Sequence, residues 1–232
     1  MKTIGLLGGM SWESTSTYYH QLNKGVKQQL GGLHSAKIAL ISVDFSEIET
    51  LQHAGDWKAM AVILADAANK VERAGADFLL ICTNTMHKVA PEIESAISIP
   101  LLHLADATGQ RLHATGIQRV GLLGTRFTME QDFYKQRLVD NFGFDVLVPE
   151  SVERELIHEV IYEELCQGKI TESSRKRYLE VIQNLGNRGA KAVILGCTEI
   201  ALLVQQQHTD LPLFDTTTIH CEEAVRLALA GQ

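Results

Sequence analysis

The chain has 232 residues, 45% hydrophobic and 21% charged with only 4 prolines, so it can bury a core and is unlike disordered or collagenous proteins. A formal net charge of −7 without any basic block argues against a nucleic-acid footprint or attraction to anionic lipid. The apolar opening 4–7 is too short for a signal segment or a membrane span, and four cysteines make no disulfide framework, so the cytoplasm is the expected compartment. Taken in chain order, apolar runs at 3–7, 37–43, 78–81, 101–104, 120–123, 146–148 and 193–195 read as strands. Helical stretches lie between them. The clearest spans 56–74, with Asp56 as N-cap, apolar Met60, Ile63, Leu64, Ala67 and Val71 on one face, and Gly75 closing it. This alternation is the βαβ signature of parallel sheets.

An internal repeat organises these elements. Gly5-Leu6-Leu7-Gly8 recurs as Gly121-Leu122-Leu123-Gly124, an offset of 116. Arg73-Ala74-Gly75-Ala76 recurs as Asn187-Arg188-Gly189-Ala190 at 114, and Ile99-Pro100-Leu101-Leu102-His103 as Leu211-Pro212-Leu213-Phe214-Asp215 at 112. Three matches in order predict a duplicated unit of about 110 residues. The expected fold is therefore α/β, with two similar three-layer parallel-sheet lobes related by a pseudo-twofold and the active site between them. The expected lobes are 1–104 and 105–215, the closing helix 216–232 packing back on the first.

Ligands of open α/β sheets bind beyond the carboxyl ends of the strands. The repeat sets Thr83, Asn84 and Thr85 opposite Cys197, Thr198 and Glu199. Two such segments on opposite sides of a ligand suit inversion at one carbon, with a different proton donor or acceptor above each face. Cys197, read at a helix N-terminus, is expected to ionise more readily than a free thiol, while Glu199 either opposes this by charge or orients the thiol. Cys197 also reads simply as a small buried hydrophobe. The loop Gly8-Gly9-Met10-Ser11 opens amides toward an anion but lacks the spacing of a dinucleotide or P-loop motif. Gly124-Thr125-Arg126-Phe127-Thr128 is its counterpart. The nine histidines show no metal-ligand spacing; His87 and His103 fall near the expected site and read as hydrogen-bonded structural residues. Cys166 and Cys221 read as helix packing residues, and Trp12 and Trp57 as core or interface anchors.

Cys82-Thr83-Asn84-Thr85, Gly196-Cys197-Thr198-Glu199 and the opening Gly8-Gly9-Met10-Ser11-Trp12-Glu13-Ser14-Thr15 resemble the aspartate/glutamate racemase family along essentially the whole chain. The resemblance implies a cofactor-independent amino-acid racemase, a homodimer acting on a small acidic amino acid; histidine spacing and charge add the expectation of no metal and of no nucleic-acid or membrane partner. It implies two proton-transfer groups: Cys197, which takes the proton of the L-enantiomer, and Thr83, standing where many members have cysteine. Cys82, one residue earlier, is expected to point into the lobe if Thr83 faces substrate. Met10, Ser11, Gln52, Asn84, Thr85, Thr198 and Glu199 are the expected substrate contacts. Cys166 stands where many members have a lysine. Two alternatives remain open: isomerisation or decarboxylation of a small dicarboxylate, and non-catalytic binding of an acidic metabolite.

Overall fold

The computed structural model describes residues 1–231. It contains two parallel sheets. In the first, β1 (Ile4–Gly8) lies between β2 (Ile38–Ser42) and β3 (Phe78–Ile81), with α1 (Trp12–Leu30), α2 (Phe45–Ala54), α3 (Trp57–Arg73) and α4 (Ala90–Ala96) filling the connections. In the second, the order is β5-β4-β6-β7, formed by β4 (Arg119–Gly124), β5 (Asp145–Leu147), β6 (Val193–Gly196) and β7 (Leu213–Asp215). Its helices are α6 (Arg126–Glu130), α7 (Asp132–Phe142), α8 (Ser151–Glu163), α9 (Glu172–Asn187) and the single turn α10 (Ile200–Leu203). α5 (Leu104–His113) leads from the first sheet to the second, and α11 (Thr216–Leu229) follows β7. The chain divides into two compact units, Met1–Leu104 with the described residues from His220 onward, and Ala105–Ile219.

The period of two along a strand explains the layering of the first unit. Leu7, Leu79 and Ile81 point to one face and pack with Leu64 and Val71 of α3. Ile4, Leu6, Phe78 and Leu80 point to the other and pack with Tyr18 and Leu22 of α1 and Ala224 of α11. Both faces are covered, as parallel sheets require. In the second unit, Leu123, Val193 and Leu195 pack with Ile157 and Ile161 of α8 and Val181 and Leu185 of α9.

The helix expected over 56–74 is α3; the Asp56 carboxylate caps it by accepting from the Ala59 amide at 3.0 Å. The strand expected at 101–104 is corrected. Only Leu101 bridges β3, at Leu79, and Leu104 already begins α5. The reason is local: the Leu102 carbonyl and the Leu104 amide are taken by the imidazoles of His220 and His87 instead of by a neighbouring strand. The two sheets therefore differ by one strand, since the counterpart of this run in the second unit pairs fully with β6 as β7.

Candidate functional site

Two strand-end segments carry the expected chemistry. In the first unit, Cys82 continues the alternation of β3 and falls on the α1/α11 face, fully buried beside Tyr18, Leu80 and Cys221. Burial pushes its thiol well above the usual cysteine range. Its amide donates to the Leu7 carbonyl at 2.9 Å, and its carbonyl accepts from the Ser14 hydroxyl at 2.8 Å. Thr83 follows and is half-buried. Its carbonyl oxygen is hydrogen-bonded to Nδ1 of His87 at 2.8 Å. Asn84 and Thr85 are buried where the 3₁₀ turn Thr85–Val89 begins.

Three imidazoles lie beneath this segment. The His87 and His103 ring centroids are 4.5 Å apart, and those of His87 and His220 are 6.1 Å apart. His220 Nε2 reaches the Leu102 carbonyl at 2.8 Å, and its Nδ1 meets the Tyr18 hydroxyl at 2.8 Å. Since a carbonyl only accepts, His220 carries its proton on Nε2 and accepts the Tyr18 hydroxyl on Nδ1. Burial first, and the neighbouring His87 imidazole second, lower the His220 pKa to about 3, so the ring is neutral at physiological pH.

The β1–α1 loop is more closed than its sequence suggests. The Gly9 amide donates to the Thr15 hydroxyl at 2.8 Å, which itself donates to the Ser11 carbonyl at 2.8 Å, so this amide is engaged internally. Ser11 is the N-cap of α1, its hydroxyl accepting from the Ser14 amide at 3.2 Å. The Met10 side chain belongs to the core around Leu7 and Ile81. Gln52, expected on a polar stretch, instead sits on the buried face of α2. Of the two readings of Trp12, core or interface anchor, the core one is corrected: it is 68% exposed at the start of α1. Trp57 is partly buried, with the Lys88 ammonium 3.8 Å from its ring centroid.

In the second unit, β6 ends at Gly196, where a Cβ would lie 2.7 Å from the Leu123 carbonyl oxygen, so only glycine allows the backbones this close. Cys197 comes next, half-buried, and its thiol donates to the Glu199 carboxylate at 2.9 Å. The expectation of an acidified thiol is corrected. Burial, the negative charge of Glu199, the nearby Cys166 and the hydrogen bond to the Glu199 side chain raise the Cys197 pKa well above its ordinary value, outweighing a backbone hydrogen bond from Glu199 that lowers it. No helix dipole offsets them, because α10 is a single turn whose own N-cap is Glu199. The Thr198 hydroxyl lies 3.1 Å from that of Thr217 in the first turn of α11. Cys166, in the 3₁₀ turn Leu165–Gln167, packs with Cys197 against the same core.

The Thr83 segment belongs to the first unit and the Cys197 segment to the second, and a match to the Asp/Glu/hydantoin racemase family model spans both, across residues 7–224. The chain belongs to this family. Family membership makes it an enzyme of racemase type, an isomerase. A crystal structure from Yersinia pestis, described as a candidate Asp/Glu racemase, superposes with a TM-score of 0.94 at 54% identity, covering 99% of this chain and 100% of that one. An aspartate racemase homologue from Pyrococcus horikoshii OT3 gives a TM-score of 0.85 at 31% identity, covering 98% and 99%. The broad-specificity amino-acid racemase RacX of Bacillus subtilis (strain 168) is 25% identical over 99% of both chains. Among the described residues, no helix is long and apolar enough to cross a membrane, and no three His, Cys, Asp or Glu cluster as a metal site would require.

Two features of these segments escape sequence reading. Nothing in the sequence says that the Ser14 hydroxyl holds the Cys82 carbonyl. His220 lies 118 residues from the carbonyl it binds, and no local motif announces it.

Proposed function

We propose that this racemase-family enzyme interconverts L- and D-aspartate or glutamate by proton transfer at the α-carbon, with Cys197 acting on one face and Thr83 on the other. The observation that carries the reading is the Cys197–Glu199 pair at the end of β6, a thiol whose proton is already aimed at a carboxylate oxygen 2.9 Å away. In the L to D direction, Cys197 delivers its thiol proton toward Glu199, attacks the α-hydrogen as thiolate, and leaves a planar carbanionic state. The Thr83 hydroxyl, directly or through water, supplies the new proton from the opposite face and regains one from solvent, to which Glu199 releases the proton it took. The reverse direction exchanges the roles.

An amino-acid α-hydrogen is weakly acidic, so donors around the α-carboxylate must stabilise the developing charge. We assign this to Asn84, Thr85 and Thr198, with Met10, Ser11, Gln52 and Glu199 completing the substrate surroundings. A hydroxyl is a poorer base than a thiolate, so Thr83 limits the rate. Because free enantiomers have equal energy, the Haldane relation makes this handicap equal in kcat/KM for both directions, whatever the separate kcat and KM values. We further read the protein as a cofactor-independent cytoplasmic homodimer, which light scattering checks in its assembly. The Bacillus relative, described as having broad specificity, favours a side-chain range wider than acidic substrates and justifies a wider panel.

Incubation with single enantiomers in D₂O, following the α-proton by NMR and enantiomer content by chiral chromatography, tests the reading. Exchange with inversion supports it, and silence with every amino acid would favour the dicarboxylate or binding alternatives. Thr83→Cys should invert substrate faster than wild type. A clear loss in that variant would remove Thr83 from the proton path.

A further inference from the structure

The peptide units on both sides of Thr83 are held by side chains. The carbonyl before it accepts from Ser14, and its own carbonyl accepts from His87 at 2.8 Å. The other nitrogen of His87, Nε2, accepts from the Leu104 amide at 3.2 Å. These partners dictate the tautomer. A carbonyl can only accept, so Nδ1 carries the proton; an amide N–H can only donate, so Nε2 keeps its lone pair. A second proton on the ring would set two N–H groups against each other at Leu104. The backbone of His87 also donates to the Asn84 carbonyl at 3.1 Å, which seats the ring four residues beyond Thr83 in the 3₁₀ turn. At the far end, Leu104 begins α5, where first-turn amides have no partner within the helix. The ring is 2% exposed and stacks edgewise on His103.

We propose that His87 is a positioning residue for the Thr83 half of the reaction: its neutral Nδ1–H imidazole ties the Thr83 carbonyl to the first amide of α5 and so sets the direction of the Thr83 hydroxyl. The inference rests on the reading of Thr83 as a proton-transfer group. Backbone placement decides side-chain direction at a strand end, where adjacent residues face opposite ways. A loop free to turn at Thr83 would exchange the places of its hydroxyl and the Cys82 thiol.

Two substitutions separate the two bonds of the ring. The amide nitrogen of asparagine falls near the Nδ1 position and keeps a donor for Thr83, whereas the amide oxygen of glutamine falls near Nε2 and keeps only the acceptor for Leu104. In D₂O, starting from the enantiomer whose α-hydrogen Cys197 removes, His87→Gln should invert substrate about 10–100-fold more slowly than wild type while still exchanging its α-hydrogen. The ratio of exchange to inversion therefore rises. His87→Asn should keep a ratio near wild type, even if its thermal stability falls as much. A purely structural role would lower exchange and inversion together in both variants, and that outcome overturns the inference. If Thr83→Ala leaves the ratio unchanged, the reading of Thr83 itself is overturned; if Thr83→Ala raises it and His87→Gln does not, only the positioning inference falls. Nitrogen-15 NMR of the wild-type imidazoles gives a check that needs no variant: a neutral Nδ1–H signal at pH 7 supports the assignment, and Nε2–H for His87 overturns it.

Discussion

The segments after β3 and after β6 follow corresponding strands, yet they control their polar groups by opposite means. After β3, the group of interest is a hydroxyl, held indirectly: Ser14 and His87 hold the peptide units around Thr83, and burial keeps the His220 imidazole beneath them neutral. After β6, the group is a thiol held directly by a carboxylate that also raises its pKa. The difference teaches that a polar group at a strand end can be controlled either by orienting its backbone or by placing a charge beside it. A hydroxyl, which does not ionise near neutrality, can gain only from orientation. A thiol has an accessible anion, so its neighbour's charge matters.

The comparison breaks most readily at Cys197. Cys197→Ala should lower α-hydrogen exchange by about 10³-fold or more while leaving the thermal transition close to wild type, since positioned acid–base groups supply about 10²–10⁴-fold. Residual exchange near the wild-type rate would deny the thiol its role. Glu199→Gln sharpens the electrostatic side. Removing the negative charge lowers the Cys197 pKa, because that charge raises it now, while the effect of burial stays. At fixed pH near 8 the thiol should alkylate several-fold faster than in wild type, with slower racemisation because the proton acceptor is gone. Unchanged alkylation would show that Glu199 does not govern the thiol.

On the β3 side, the expected effect is on stability. The His220 pKa is depressed from 6.5 to about 3 in the folded protein, so at pH below 6.5 the unfolded chain binds a proton that the folded one refuses. This contribution is fully present above pH 6.5 and is lost as pH falls toward 3, with a slope of at most about 1.4 kcal/mol per pH unit. Urea titrations at pH 7, 6, 5 and 4 should show a shallower acid loss in His220→Gln than in wild type; parallel curves would refute the assignment. The smallest effect is at Ser14. Ser14→Ala leaves the buried Cys82 carbonyl without the hydroxyl that donates to it, which should cost about 1–2 kcal/mol by chemical denaturation and lower kcat more than it changes KM.

Much of the fold is legible because it follows from short-range rules. Alternating apolar runs and helical periods announce parallel α/β units, and Asp56 announces α3 through the carboxylate that caps it. The run 101–104 misleads because its apolar character is real but, after the Leu102 amide has bonded Leu79 of β3, the Leu102 carbonyl and the Leu104 amide go to His220 and His87. The Cys197 segment misleads in a similar way. Its position after a strand is readable, whereas the shortness of α10 and the aim of the Glu199 carboxylate depend on how the chain turns after Gly196. Trp12 shows that residue type alone does not decide burial, since α1 turns it outward.

By itself, then, the amino-acid sequence determined the element types outside 101–104, the repeat of sheet units and the residue chemistry at the two strand ends, because periodicity, capping and strand termini are local properties of the backbone. Tertiary structure alone decided that Cys82 turns into the core beside Cys221, that Ser14 and His87 hold the peptide units around Thr83, and that the Cys197 thiol is raised in pKa instead of lowered. Those outcomes depend on partners distant in sequence or on desolvation, and both exist only once the chain has folded.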